Sequence, residues 1–182
     1  MVKKGYVIIM LMMTVLAISI AFLVAVPAWQ TEVKREKEEE LIFRGRQYVE
    51  AVRLYVLKNP GRFPATLKEL YDKNFIRKLY KDPMTESGEW NVILNASMAG
   101  VAGTGSAGGA GGSAENQVYI VPERSLSSVR QAAILGVVSS SKSPSVKVYN
   151  DQEAYDKWLF YFGQDPQKLP KIIYYGEKAK GP

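Results

Sequence analysis

The chain has no cysteine and no histidine among its 182 residues. Without cysteine there is no disulfide framework, no thiolate nucleophile and no thiolate metal site. Without histidine the commonest general base and the commonest zinc ligand are also missing. Catalysis would rest on carboxylates, lysine, tyrosine or serine, and the composition points to a structural or interaction protein that is not an enzyme. A serine–lysine grouping occurs at residues 139–143, SSSKS. A catalytic lysine must be buried to lower its pKa, and this stretch reads as a polar turn. Clustered basic charge is scarce as well. The net charge is +6, but the cations are spread in short pairs such as Lys3-Lys4 and Arg77-Lys78, so no nucleic-acid partner is expected. Tyrosines 48, 55, 71, 80, 149, 155, 174 and 175 could stack on bases, but most fall on apolar faces and suit core packing better.

Charge is absent altogether from Tyr6 to Val26. About 21 residues at ~1.5 Å per residue make a helix of ~30 Å, the thickness of a bilayer's hydrocarbon core. Thr14 and Ser19, the only aliphatic hydroxyls in the run, can bond back to their own helix. The run exceeds the ~7–15 apolar residues of a signal peptide, and Ala25-x-Pro27 is a poor cleavage site. It is read as a retained transmembrane helix. Lys3 and Lys4 before it nearly balance Lys34, Arg35 and Lys37 after it, so charge sets orientation weakly. The very short head places the bulk of the chain outward. The remaining ~150 residues suffice for one small domain.

Beyond Trp29, TEVKREKEEE suits a solvent-exposed helix, with Arg35–Glu39 and Glu40–Arg44 pairs four residues apart. Leu41, Gly45, Tyr48, Val49, Val52, Tyr55 and Val56 then recur every three or four residues, an apolar stripe on one helical face. Asn59-Pro60-Gly61 ends it. No turn signal except Pro27 separates the two patterns, and a proline bends a membrane helix more often than it ends one. One helix from about Tyr6 to about Lys58 is therefore expected, bent near Pro27.

Thr66 and Glu69 form a capping-box pattern opening a short helix that ends near Asn74. Residues 80–85, YKDPMT, are a turn around Asp82-Pro83. Trp90–Leu94 is the first strand. Residues 96–116, rich in Gly, Ala and Ser, form a flexible loop with no phosphate-loop ending. Gln117–Val121 is the next strand, followed by a linker holding Arg124 and Arg130. Ala132–Ser140 and Val146–Tyr149 are strands expected to pair as a hairpin. Asn150 is expected to cap a helical turn over Asp151–Tyr155. Residues 157–162, KWLFYF, form a last major strand, with a helix continuing from Asp151 as competitor. Lys171–Tyr175 is a short edge strand. Helix first and strands after imply an α+β fold, the amphipathic helix face packed on a small antiparallel sheet.

This pattern resembles the type IV pilins and the pseudopilins of type II secretion systems. The resemblance rests on Lys3-Lys4-Gly5-Tyr6, the apolar run through Pro27, the helix to Asn59, the GRFP at Gly61–Pro64 with Leu67–Leu70, and the Asp82-Pro83 turn. Beyond Asn95 it is general architecture only. The expected organisation is a leader at 1–5, a transmembrane helix half at 6–28 and an amphipathic helix half at 29–59. A helix-to-sheet region follows at 60–95, then the loop at 96–116, an antiparallel β-region at 117–175 and a disordered tail at 176–182. The resemblance implies that a prepilin peptidase cuts after Gly5 and methylates the new amine of Tyr6. The subunit would sit in the bacterial inner membrane as a single-pass protein with its C-terminal domain in the periplasm. An assembly platform would then draw it into a filament with other pilin-like subunits, most simply for type II protein secretion. The apolar half would pass from lipid into a bundle of like helices, with Met10 and Pro27 as assembly positions.

Met10 departs from the family, which usually carries Glu there to pair with a neighbour's N-terminal amine. A carboxylate in lipid is costly and kept for function. The substitution suits a tip or minor subunit, a group that assembles without the ion pair, or a relative retained in the membrane. The alternative functions are a minor type IV pilin serving adhesion, DNA uptake or motility, and a non-assembling anchored binding domain. No cofactor is expected. The family's structural calcium would want oxygen ligands, and Asp151, Glu153 and Asp156, or Asp82, Glu86 and Glu89, are close in sequence. Acids in surface turns are usually just solvated, and no ligand is assigned.

Overall fold

The computed structural model of the chain describes residues 4–95, 117–129, 132–164 and 170–174; within α1 the side chains of Lys4, Val24, Ala25, Pro27 and Ala28 are not described. Helix α1 spans Lys4–Lys58, and α2 spans Leu67–Asp72. The strands are β1 (Trp90–Asn95), β2 (Gln117–Pro122), β3 (Ile134–Ser139), β4 (Pro144–Tyr149), β5 (Gln152–Ala154), β6 (Phe160–Tyr161) and β7 (Lys171–Tyr174). The fold is α+β. The chain divides into two compact units, Met1–Lys37 and Glu38–Pro182.

In the first unit, α1 runs on through Pro27 as the continuity of pattern predicts. Proline lacks an N–H and clashes with the carbonyl four residues before it, so a helix that includes it gives up one intrahelical bond.

In the second unit, the rest of α1 buries one face. Leu41, Gly45, Tyr48, Val52 and Tyr55 are all buried, as the stripe predicts, and Val49 and Val56 lie partly buried beside them. Ala51 is buried too. The helix stops at Lys58, Asn59 accepts the backbone N–H of Arg62, and Gly61 takes a positive φ of 77°. Thr66 caps α2: its side chain accepts from the Glu69 N–H, while Glu69 reaches back to accept from Ala65 N–H at 2.8 Å. These reciprocal bonds satisfy donors the helix itself cannot.

Among the described residues the main sheet has five strands in the order β6-β3-β1-β2-β7. β1 lies at its centre, antiparallel to β2 and β3, and β3 pairs antiparallel with β6. The pleat sorts β1: Val92 and Leu94 join the cluster built on α1, and Ile93 joins a second cluster with Ile120, Val138 and Leu159 on the other face.

Five expectations are corrected. The sheet is mixed, because β7 lies parallel to β2. The segment between β2 and β3 contains a 3-10 helix, Glu123–Ser128, where a plain linker was expected. β3 and β4 do not form a hairpin: β3 joins the five-stranded sheet, and β4 pairs with β5 in a separate two-stranded one. The stretch after Asn150 is not a helical turn. Asn150 and Asp151 both adopt positive φ, 48° and 58°, and reverse the chain between β4 and β5. A 3-10 turn, Tyr155–Lys157, then precedes β6, so only Phe160–Tyr161 of the expected 157–162 strand is extended. The long loop and the tail, expected at 96–116 and 176–182, lie outside the described residues.

Candidate functional site

The first candidate site is the surface of α1 from Gly5 to Leu23, a 19-residue span long and apolar enough to cross a membrane. Among the described residues none of it is buried. In a water-soluble fold such a span would be covered, since burying one large apolar side chain is worth about 1.5–3 kcal/mol. Its two aliphatic hydroxyls are satisfied internally: Thr14 Oγ1 donates to the Leu11 carbonyl and Ser19 Oγ to the Val15 carbonyl, each at 2.8 Å. The middle of the span therefore offers lipid no unpaired aliphatic hydroxyl donor, as the bilayer core demands.

The residues named from the sequence take these places. Gly5 lies in the first turn of α1, and an added β-carbon there would meet nothing within 4 Å. Tyr6 is 66% exposed and Met10 59% exposed. Tyr6 and Met10, one helical turn apart, line a shallow notch with Ile9, Met13, Thr14 and Ala17. Pro27 lies within the α1 backbone. Residues 1–3 of the expected leader lie outside the described residues.

A second site was not foreseen. Glu38 is fully buried in the folded unit. Its carboxylate accepts the backbone N–H of Val146 at 2.6 Å and of Lys147 at 3.0 Å, and the hydroxyl of Tyr155 at 2.6 Å. Burial raises the Tyr155 hydroxyl pKa above its ordinary value, and the adjoining Glu38 carboxylate adds to this. A buried carboxylate is tolerable only when donors replace its water. Next to it Glu39 pairs with Lys147 at 2.6 Å, instead of with Arg35 as predicted, and that contact lowers the Glu39 pKa. The predicted Glu40–Arg44 pair is present at 2.5 Å. Glu38 belongs to the spacing 38, 41, 45, 48, 52, 55, which continues the apolar stripe by one turn. That position was the available signal, hidden because the residue is charged and stands in a charged block.

Asp82 is the other acid in the core, 2% exposed. It accepts the Met84 N–H at 2.8 Å, the Ser139 hydroxyl at 2.7 Å and the Ser140 N–H at 3.3 Å. Burial raises its pKa in spite of these bonds. The serine group at 139–141 is thus tied to the Asp82 turn, and Ser139 Oγ also accepts the Ser141 N–H. Among the described residues, no three acids gather as metal ligands.

No family model, no curated protein and no solved structure matches the chain.

Proposed function

We propose that the chain is a pilin-like subunit, cut after Gly5 by a prepilin peptidase, methylated on Tyr6 and assembled through α1 into a filament, most simply a type II secretion pseudopilus. What supports the reading is one helix, Lys4–Lys58, bare and apolar over its first part and with one face buried against a sheet over its second. A plain anchor needs the first part only. In the filament the apolar part would exchange lipid for neighbouring helices, where close van der Waals packing replaces lipid contacts. The single-pass topology with the folded unit in the periplasm, the assembly platform and the partner subunits belong to the same proposal, as does a role that is structural and not catalytic.

Met10 favours a second reading within the class, a minor or tip subunit. Nothing in the Tyr6–Val26 stretch carries a side-chain charge, so a neighbour's amine would find no counter-charge at that depth.

The test is coexpression with a prepilin peptidase and measurement of the intact mass. Loss of residues 1–5 plus gain of one methyl supports the proposal, and Gly5→Leu should abolish both. A chain that stays intact, or is cut elsewhere, removes it. With assembly proteins present, recovery of processed subunit in sheared filaments separates the main subunit reading from the minor one, which predicts only trace amounts.

A further inference from the structure

We propose that the β4–β5 hairpin is a strap, held on α1 by the Glu38 carboxylate, that opens on its own while the five-stranded sheet stays closed. The opening belongs to the folded unit alone, whether or not the chain assembles into a filament.

The hairpin is not part of the main sheet. Its strands are matched at only two places, Pro144 with Ala154 and Tyr149 with Gln152, and the ladder is irregular between them. A two-stranded hairpin is marginal in water without further support. Here the support at its middle comes from the helix. The consecutive N–H groups of Val146 and Lys147 both turn to Glu38, with the Lys147 ammonium on Glu39 outside them. One short stretch of α1 thus stands in for the missing strand.

The two faces of the strap differ sharply. Outward, Pro144 is exposed, and Val146 and Val148 are 38% and 62% exposed. Inward, Tyr149 meets the rings of Trp158 and Phe160, each at 5.4 Å between centroids. The base has anchors of its own, although the Trp158 indole N–H donates to the Gln152 carbonyl at 3.0 Å and the Tyr155 N–H to the Ser143 carbonyl at 3.4 Å, two bonds that break when the strap lifts. Asp82 holds Ser139 and Ser140 on one side, and on the other Tyr155 and Trp158 are core residues that pack against each other. Residues 143–154 can therefore lift without disturbing β1 or β3. Lifting uncovers the Trp158 and Phe160 rings that Tyr149 covers, and strips the Val146 and Lys147 donors from the Glu38 carboxylate.

Native-state amide exchange on the full chain in detergent micelles, followed across low urea concentrations, tests this. In the wild type the amides of Val146 and Lys147 should exchange through an opening with little urea dependence. Its free energy should lie below that of the Val92 and Val137 amides in the sheet centre. Glu38→Gln keeps one acceptor and turns an NH2 towards a donor. It should speed exchange at 146 and 147 by roughly tenfold or more, as loss of a charge-assisted bond implies, and speed Val92 and Val137 by no more than the same factor, so that the gap between the two groups persists. If the wild-type hairpin amides share the urea dependence and free energy of Val92 and Val137, the strap does not open separately and the proposal is overturned. That comparison needs no variant, so it decides the matter even if Glu38→Gln fails to fold.

Discussion

Gly45 shows how one position can be half legible. Its place on the apolar stripe follows from spacing, but its need to be glycine does not. A β-carbon there would lie 2.4 Å from the Phe160 ring, contributed by a strand more than 100 residues later. Gly45→Ala must push that ring aside and should cost about 1–3 kcal/mol, typical of overpacking, read as a lower urea midpoint at unchanged slope. Asp82 is similar: the turn was evident from Asp-Pro, whereas its three donors, two of them from the end of β3, were not. Its pH effect has a definite sign. Burial holds the folded pKa above the unfolded one, so the folded state binds this proton more tightly. The stabilising contribution is full below the unfolded pKa of ~3.9 and is lost as pH rises through the folded value. Stability measured from pH 4 to 7 should therefore fall less with rising pH in Asp82→Asn than in the wild type. Glu38 was concealed for the opposite reason. A charge in a charged block looks solvated, and only the three-dimensional arrival of Val146, Lys147 and Tyr155 gives it donors.

At the scale of elements, features set by neighbours in sequence were readable. The stop at Asn59-Pro60-Gly61, the Thr66 cap, and strands β1, β2, β3 and β7 each carry a local signature. Thr66→Ala should remove the bond to the Glu69 N–H and cost ~1 kcal/mol, measured as a lower urea midpoint. Pairing was not readable, because alternation shows which face a strand buries without naming its partner. β4 illustrates this: its alternation is clear in Val146-Lys147-Val148-Tyr149, yet it joins β5 and not β3. The reversal at Asn150-Asp151 carried a usable sign. Two residues tolerant of positive φ between short runs favour a tight hairpin turn, and the competing reading of Asn150 as a helix cap uses the same residue type. The parallel placement of β7 had no sequence signal, since it depends on the route of the chain after β6.

For the molecule as a whole, the dominant sequence feature is the apolar span of α1, Gly5–Leu23, none of which is buried among the described residues. Leu16→Arg would put a cation at the middle of the span, at a cost of about 2.5–3.5 kcal/mol on insertion scales. It should shift the chain from the membrane pellet to the soluble or degraded fraction after carbonate extraction. Leu16→Ile should not. The folded unit is stitched together over long separations: Tyr155 reaches Glu38 across 117 residues, and the Ile134 N–H donates to the Pro64 carbonyl. Such non-local closure is slow, because loop-closure entropy is lost before the contacts form. During synthesis, α1 is complete long before Tyr155 and Phe160 exist to cover it. The nascent chain must therefore carry an open apolar stripe, and Glu38 without its donors, until Val146, Tyr155 and Phe160 have been made. Its vulnerable period is set by the ribosome's pace between the end of α1 and β6.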